Sequence, residues 1–381
     1  MSERHLHIVT HDIPYPADYG GVVDLFNKLK PLQQLGIQIH LHCFTHGRKR
    51  QPILEQYCAS VHYYPRKKNI SRWSFRLPFI VNSRRCSELI ARLNLDQHPI
   101  LLEGIQTSYG LFSGELSNRK IVVRLHNAEF EYYGQLAKLE RNPVKKLYYW
   151  HESRLLKQYE KGLAQKALFL AVSTTDMALY RAEFNASQIN FLPVFLPHTL
   201  AAGKPGKGCF CLYHGNLGIN ENERAVSWLM QSVFPDLNIP LVIAGKNPPK
   251  KLQEMVHRNL NCCIVANPTD EEMQDMIKKA QINILPSFNN TGVKIKLFNA
   301  LFNGRYCIAN PAAVSGAETG SCCVIATTAN EFQEKIKALY DQPYTEDENE
   351  RRQGLLQHTY HNATNAQKLV SYLFDWEFIR R

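Results

Sequence analysis

Nowhere in the 381 residues do about 20 apolar side chains run together, the length a helix needs to cross a bilayer. The ten cysteines include no Cys-x-x-Cys pair. Cys209 and Cys211 fall in one predicted strand, and Cys262-Cys263 and Cys322-Cys323 lie in or begin others. Those spacings fit neither a zinc site nor a secreted disulfide scaffold, and they point to buried, reduced thiols in a cytoplasmic protein. The opening MSERHLHIVT lacks the apolar core and cleavage pattern of a secretion leader. A Gly-x-Gly-x-x-Gly fingerprint is missing, which weighs against a dinucleotide-dependent dehydrogenase. There is also no Asp-x-Asp metal signature, no nucleic-acid module, no low-complexity segment and no internal repeat of about 20–50 residues.

What is present suits two packed globular domains of ordinary size. Hydrophobic residues make up 44% and charged residues 21%. The net charge of +11 is lopsided: residues 1–200 hold 26 Lys+Arg against 16 Asp+Glu, the remainder 19 against 18. The first half is therefore expected to meet something anionic. Short apolar strands alternate with helices in both halves. This plan predicts two doubly wound α/β domains, Rossmann-like in build, facing a cleft. A Pro- and Gly-containing run without periodicity, residues 190–207, reads as the connection. The predicted limits are 1–195 and 208–362, with a last helix over 363–381.

Four stretches carry the chemistry. In residues 282–308 a buried strand, Ile282 to Leu285, leads through a polar loop into a helix predicted to start near Val293. Gly304 closes that helix before the next strand. A helix start favours anions, and Gly292 permits close approach to the backbone. Lys294 and Lys296 stand where helices usually place carboxylates, which suits a doubly charged ligand such as a diphosphate or, more plainly, two solvated lysines. A second glycine loop, Gly215-Asn216 with Gly218, also follows a strand and precedes a helix. Gly20-Gly21 occupies such a turn after the first strand, ahead of a helix predicted over 22–35. Glu103 ends one predicted strand. His126, Asn127 and Glu129 follow another, where open parallel sheets bind ligands. His126 and Glu129 are natural proton carriers or hydroxyl ligands; equally, Asn127 would cap the next helix with Glu129 in its first turn. The helix from about 143 to 164 reads as solvated, and Glu318 lies past a strand end. Between Arg48 and Arg92 stand eleven Lys+Arg and two Asp+Glu. Bases there interleave with Trp73, Phe75 and Phe79. This fits an anionic membrane surface, a phosphorylated acceptor, nucleic acid or a solvated face.

Pro-Ser, a loop, then Gly-Val-Lys-Ile-Lys-Leu-Phe-Asn-Ala-Leu-Phe-Asn-Gly resembles the donor segment of GT-B glycosyltransferases, in particular the retaining, family-four-like branch (glycosyl transferases group 1). Gly292, Lys294, Lys296, Ala300 and Gly304 match its pattern. Asn299 stands where the family has a glutamate that grips the donor ribose, and Thr291 where the retaining branch has a second. Pro-Tyr-Pro with Gly20-Gly21, Arg-Leu-His-Asn-Ala-Glu around His126, and the Gly215 loop resemble further segments of the family in the same order. The resemblance implies a nucleotide-sugar donor held by Gly215, Asn216, Gly292, Lys294, Lys296, Asn299 and Glu318. It implies acceptor or phosphate contacts at Gly20-Gly21, and His126 with Glu129 at the transferring sugar. It further implies a last helix crossing back to the first domain. No cofactor and no metal are expected, since cations and N–H groups take a metal's place. A glycan or lipid-linked acceptor in polysaccharide or glycolipid synthesis is expected. So is a cytoplasmic protein peripheral at the inner membrane face through residues 66–76, with no nucleic-acid partner. Thr291 and Asn299 keep a catalytically silent binding protein of the same fold in view. His126, Glu129 and Glu318 keep a sugar-nucleotide epimerase in view.

Overall fold

In a computed structural model, residues 3–68, 74–116, 118–140 and 142–375 are described. The chain divides into two compact units, 1–197 with 360–381, and 198–359. The first unit is built on seven strands: Arg4–Thr10 (β1), Ile37–Thr45 (β2), Ser60–Pro65 (β3), Ile100–Glu103 (β4), Ile121–Leu125 (β5), Leu168–Ala171 (β6) and Ile189–Phe191 (β7). They run in the order β3-β2-β1-β4-β5-β6-β7, all parallel. The second unit has Cys211–Asn216 (β8), Leu241–Lys246 (β9), Cys262–Ala266 (β10), Ile282–Leu285 (β11), Tyr306–Ala309 (β12) and Val324–Ile325 (β13). Their order is β10-β9-β8-β11-β12-β13, again parallel. Each unit is thus an open doubly wound sheet whose order reverses once, between β1 and β4 and between β8 and β11. The strand ends at such a reversal leave a crevice for ligands.

The strands are apolar on both faces because helices cover both. In the first unit Val9, Phe44, Leu102, Val123 and Phe169 pack on one side. Leu6, Ile8, Ile39, Leu41 and Leu170 pack on the other, where Ala366, Leu369 and Leu373 join them. Those last three belong to the helix Asn362–Phe374, which therefore completes the first unit although it ends the chain. Trp376, expected on its apolar side, lies outside the described residues, as does Trp73 of the basic stretch.

Four local expectations are corrected. The helix expected over 22–35 is two, Gly20–Asn27 and Leu29–Gln34, broken at Lys28. Pro31 has no N–H to give to the Asn27 carbonyl, so a continuous ladder cannot form. The helix expected from Val293 runs Ile295–Asn303 with Lys294 as its N-cap residue. The helix Pro143–Leu163 is not merely solvated, since it buries Glu152, Leu155, Leu156, Tyr159, Glu160 and Leu163. All ten cysteines are free, but Cys209 and Cys263 are exposed rather than buried.

Period-2 histidines on β1 and β2 build a hydrogen-bonded chain near the sheet edge. The Asp96 carboxylate accepts from His7 Nε2 at 3.0 Å, His7 Nδ1 meets His42 Nε2 at 2.9 Å, and His42 Nδ1 meets the Tyr64 hydroxyl at 3.0 Å. The acceptor at one end sets every tautomer along the chain, so Tyr64 donates at the other. Burial pushes His7 down to about 4 and His42 down to about 2, which keeps both neutral.

Candidate functional site

In the second unit the ends of β8 and β11 bring two loops together. Gly215 and Asn216 end β8, and a short turn leads to the helix Asn220–Trp228, whose first turn carries Glu221 and Asn222. After β11 come Ser287, Asn289, Thr291 and Gly292, then the helix Ile295–Asn303. Gly292 has φ +61°, a conformation that disfavours any side chain. Lys296 Nζ donates to Asn222 Oδ1 at 2.8 Å and to Tyr213 Oη at 3.0 Å. Tyr213 donates to the same Asn222 oxygen at 2.9 Å, and Asn222 Nδ2 donates to the Asn216 carbonyl at 2.9 Å. Lys294 Nζ donates to the Thr291 carbonyl at 3.0 Å and lies 3.9 Å from Glu221. Glu221 itself accepts from Ser287 Oγ at 2.7 Å and from Asn289 Nδ2 at 3.4 Å. Burial lowers the Lys296 ammonium to about 8; Glu221 opposes the shift and Lys294 adds to it. Two amines thus share one carboxylate that two neutral donors already occupy, beside a helix start with its own partial positive charge.

The structure gathers Gly215, Asn216, Gly292, Lys294 and Lys296 at this place. Asn299, half-buried, accepts instead from Asn303 Nδ2 at 2.8 Å. Glu318 is exposed on the loop that follows the short helix Pro311–Val314.

In the first unit the corresponding strand ends hold a buried ionic cluster. Arg124 takes both oxygens of Asp24, at 3.1 and 3.0 Å. Lys28 Nζ reaches Asp24 at 2.8 Å and Glu103 at 2.5 Å. The Phe195 backbone N–H adds a fourth donor to Asp24 at 2.8 Å. Glu103 accepts from His126 Nε2 at 2.9 Å, and His126 Nδ1 lies 3.9 Å from Asp24. Burial pushes the Asp24 and Glu103 carboxyls up, yet Arg124 and Lys28 on the first, and Lys28 and His126 on the second, outweigh it and leave both lowered. Asp24, Glu103 and His126 each bring a ligand atom within 4.8 Å of the others, the one grouping among the described residues with metal-binding geometry. An ammonium and a guanidinium already supply the positive charge a cation would bring.

Glu129 opens the helix Glu129–Leu139, with Ala128 rather than Asn127 at the cap position. It is buried and accepts from Gln106 Nε2 at 2.9 Å and from Asn127 Nδ2 at 3.5 Å. Burial raises its carboxyl to about 7, against both hydrogen bonds. Gly20 and Gly21 begin the helix after β1. A Cβ on Gly21 would stand 3.1 Å from the Tyr19 ring and 3.2 Å from His11 Nε2. His126 and His11 meet edge to face with ring centroids 5.9 Å apart. Sequence reasoning missed Asp24, Lys28, Arg124 and His11 here, and Tyr213, Glu221 and Asn222 in the second unit. A signal existed for Arg124, a charge inside the apolar strand Ile-Val-Val-Arg-Leu, and for Asp24 and Lys28, four apart on an apolar helical face.

No family model matches the chain. A curated relative is an uncharacterised 44.6 kDa protein in the cps region of Klebsiella pneumoniae, 28% identical over 358 residues, or 86% of this chain and 89% of that one. Among solved structures, Anabaena HepE in complex with UDP and glucose aligns with a TM-score of 0.66 at 12% identity, over 97% of this chain and 99% of that one. WaaG, a glycosyltransferase involved in lipopolysaccharide biosynthesis, aligns with a TM-score of 0.65 at 12% identity, over 97% and 100%. At such identities these likenesses show a shared fold.

Proposed function

We propose, from the premise that this chain has the GT-B fold, that it is a glycosyltransferase. It moves a sugar, of the hexosyl type, from a nucleoside-diphosphate donor to a glycan or lipid-linked acceptor in capsule-type polysaccharide synthesis. The solved neighbours named above include one holding UDP and glucose, and the curated relative is encoded in a cps region. The observation that carries the reading is the convergence of two amines, Lys294 and Lys296, at a glycine-flanked helix start. When the glycosidic bond breaks, the departing diphosphate gains negative charge. Fixed cations and N–H groups stabilise that charge without reorganising. The same groups let the reaction proceed without a metal. His126, its tautomer set by Glu103, and Glu129, which titrates near neutrality, are assigned to the hydroxyls and protons of the transferring sugar.

Calorimetry with UDP in the presence of EDTA tests the donor site. UDP should bind with metal chelated, and Lys296→Met should weaken it by about 1.5 kcal/mol, the scale of a charge-assisted hydrogen bond. Failure of the wild-type chain to bind UDP would sink the reading.

We also propose that the first unit attaches to anionic membranes from the cytoplasmic side through the basic stretch 66–76. Of that stretch residues 69–73 lie outside the described ones, and Arg66 turns inward. Lys67, Phe75 and Arg76 are exposed, Phe75 by 85%. Flotation with anionic vesicles at low salt should capture the wild type and lose a Lys67→Ser/Arg76→Ser variant; equal capture would remove the patch.

A further inference from the structure

Four loops converge beyond the carboxyl ends of β1, β2 and β3: His11 follows β1, His46 follows β2, Arg66 to Lys68 follow β3, and Arg84 follows the short helix Phe79–Asn82. Arg84 is only 7% exposed. Its Nε donates to the His11 carbonyl at 3.1 Å and its Nη1 to the Ile80 carbonyl at 2.7 Å. Arg66 Nε donates to Ser83 Oγ at 3.0 Å, and the guanidinium lies over the Phe79 ring at 5.9 Å. Lys68 Nζ donates to His46 Nε2 at 2.6 Å. Among the described residues no carboxylate forms an ion pair with Arg66, Lys68 or Arg84. Asp12, the acidic neighbour, is committed: it accepts from the Ile13 N–H at 2.9 Å and from the Tyr19 hydroxyl at 3.0 Å, and it stands 3.4 Å from Arg48. A buried arginine whose partners are all neutral is costly unless something anionic completes its shell. His11 Nδ1 is a further buried polar atom, without a hydrogen-bond partner among the described residues. The groups also sense one another. Burial lowers Arg84 to about 9, and Arg66 pushes in the same direction. Burial, then His126 and Arg84, hold His11 well below its ordinary value.

We infer that Arg66 and Arg84, with Lys68 at the rim and His11 beneath, form an oxyanion-binding subsite that selects an acceptor saccharide carrying a carboxylate or phosphate. Arg84 has donor capacity left after its two carbonyl bonds, and Arg66 after its one bond to the Ser83 hydroxyl. Planar guanidinium forks suit the paired oxygens of either group. His11 joins the subsite to His126 across their 5.9 Å edge-to-face contact, so the subsite and the proposed transfer residue lie at the same, carboxyl-terminal end of the first sheet. Calling the ligand an acceptor rests on the glycosyltransferase reading; the anion site itself does not.

The test is calorimetry of the full chain with glucuronate, glucose 6-phosphate, inorganic phosphate and glucose, each titration paired with one of UDP. Glucuronate or glucose 6-phosphate should bind at least tenfold tighter than glucose. Arg84→Met should erase that preference and leave UDP affinity unchanged. Arg66→Met, at a half-buried position, repeats the test should Arg84→Met fail to fold. Tighter binding of inorganic phosphate than of either sugar acid would overturn the saccharide assignment. Equal affinity for glucose and the sugar acids, or a preference untouched by both variants, would overturn the subsite. Loss of UDP binding with the acid preference intact would overturn the proposed function instead and leave the subsite standing.

Discussion

Two sets of charges, one buried and one half-buried, sit at equivalent places, each at the reversal of a parallel sheet, and they are balanced differently. In the first unit Asp24 and Glu103 face Lys28 and Arg124, two against two, and every carboxylate oxygen has a donor. In the second, two amines, Lys294 and Lys296, stand near one carboxylate, Glu221, which also accepts from Ser287 and Asn289. A closed set fixes geometry: Arg124 also donates to the carbonyls of Leu192 and Pro193, so the cluster ties the helix after β1 to the end of the first sheet. An open set holds charge in reserve for a ligand that carries the opposite sign. Buried ionic groups therefore do not announce function; an imbalance among them does.

The largest expected effect breaks the closed set. Asp24→Asn keeps the shape but leaves Lys28 and Arg124 buried against one carboxylate, and it should destabilise the protein by about 3–5 kcal/mol in urea unfolding. A loss below about 1 kcal/mol would mean that the cluster is wet and the contrast between the units false. The open set should behave the other way. Lys296→Met, which costs UDP affinity, should leave stability within about 1 kcal/mol, because Tyr213 and Asn222 keep their mutual hydrogen bond when the amine goes. Equal destabilisation by the two substitutions would erase the distinction.

The alternation of short apolar runs with helices was enough to read both doubly wound sheets, because inner strands such as β5, β6, β11 and β12 are buried on two faces and leave a continuous apolar signature. Lys294, Lys296 and Gly292 were legible because their types contradict what a helix start ordinarily carries. Tyr213, Asn222 and Glu221 were not. They are unremarkable in a strand or at a helix start, and only the β8/β11 pairing makes them neighbours of Lys296, which follows 74 positions after Asn222. His7 and His42 are hidden for the same reason, since the parallel register, not the local sequence, stacks β1 on β2. The break at Lys28 was readable in principle from Pro31, three residues on.

A third kind of buried group sharpens the comparison: a carboxyl with no cation partner among the described residues. Glu160, fully buried in the first unit, accepts from the Phe130 N–H at 2.8 Å and bonds to the Tyr180 hydroxyl. Burial raises its carboxyl well above the ordinary value, against both bonds, with Glu129 adding to the rise. The native state therefore keeps a proton that the unfolded chain has released. Stability from this group is complete below the unfolded value near 4.3 and declines as pH rises, by about 1.4 kcal/mol per unit, until the native carboxyl ionises. Glu160→Gln keeps both hydrogen bonds and has no proton to lose. Urea unfolding at pH 5, 6 and 7 should thus show the difference between variant and wild type moving in the variant's favour at each step. Other titrating groups cancel in that difference, so a flat line would mean that Glu160 is ionised in the fold. It would then need a cation partner, as Asp24 has in Arg124, and the division between balanced and neutralised carboxylates in the first unit would fail.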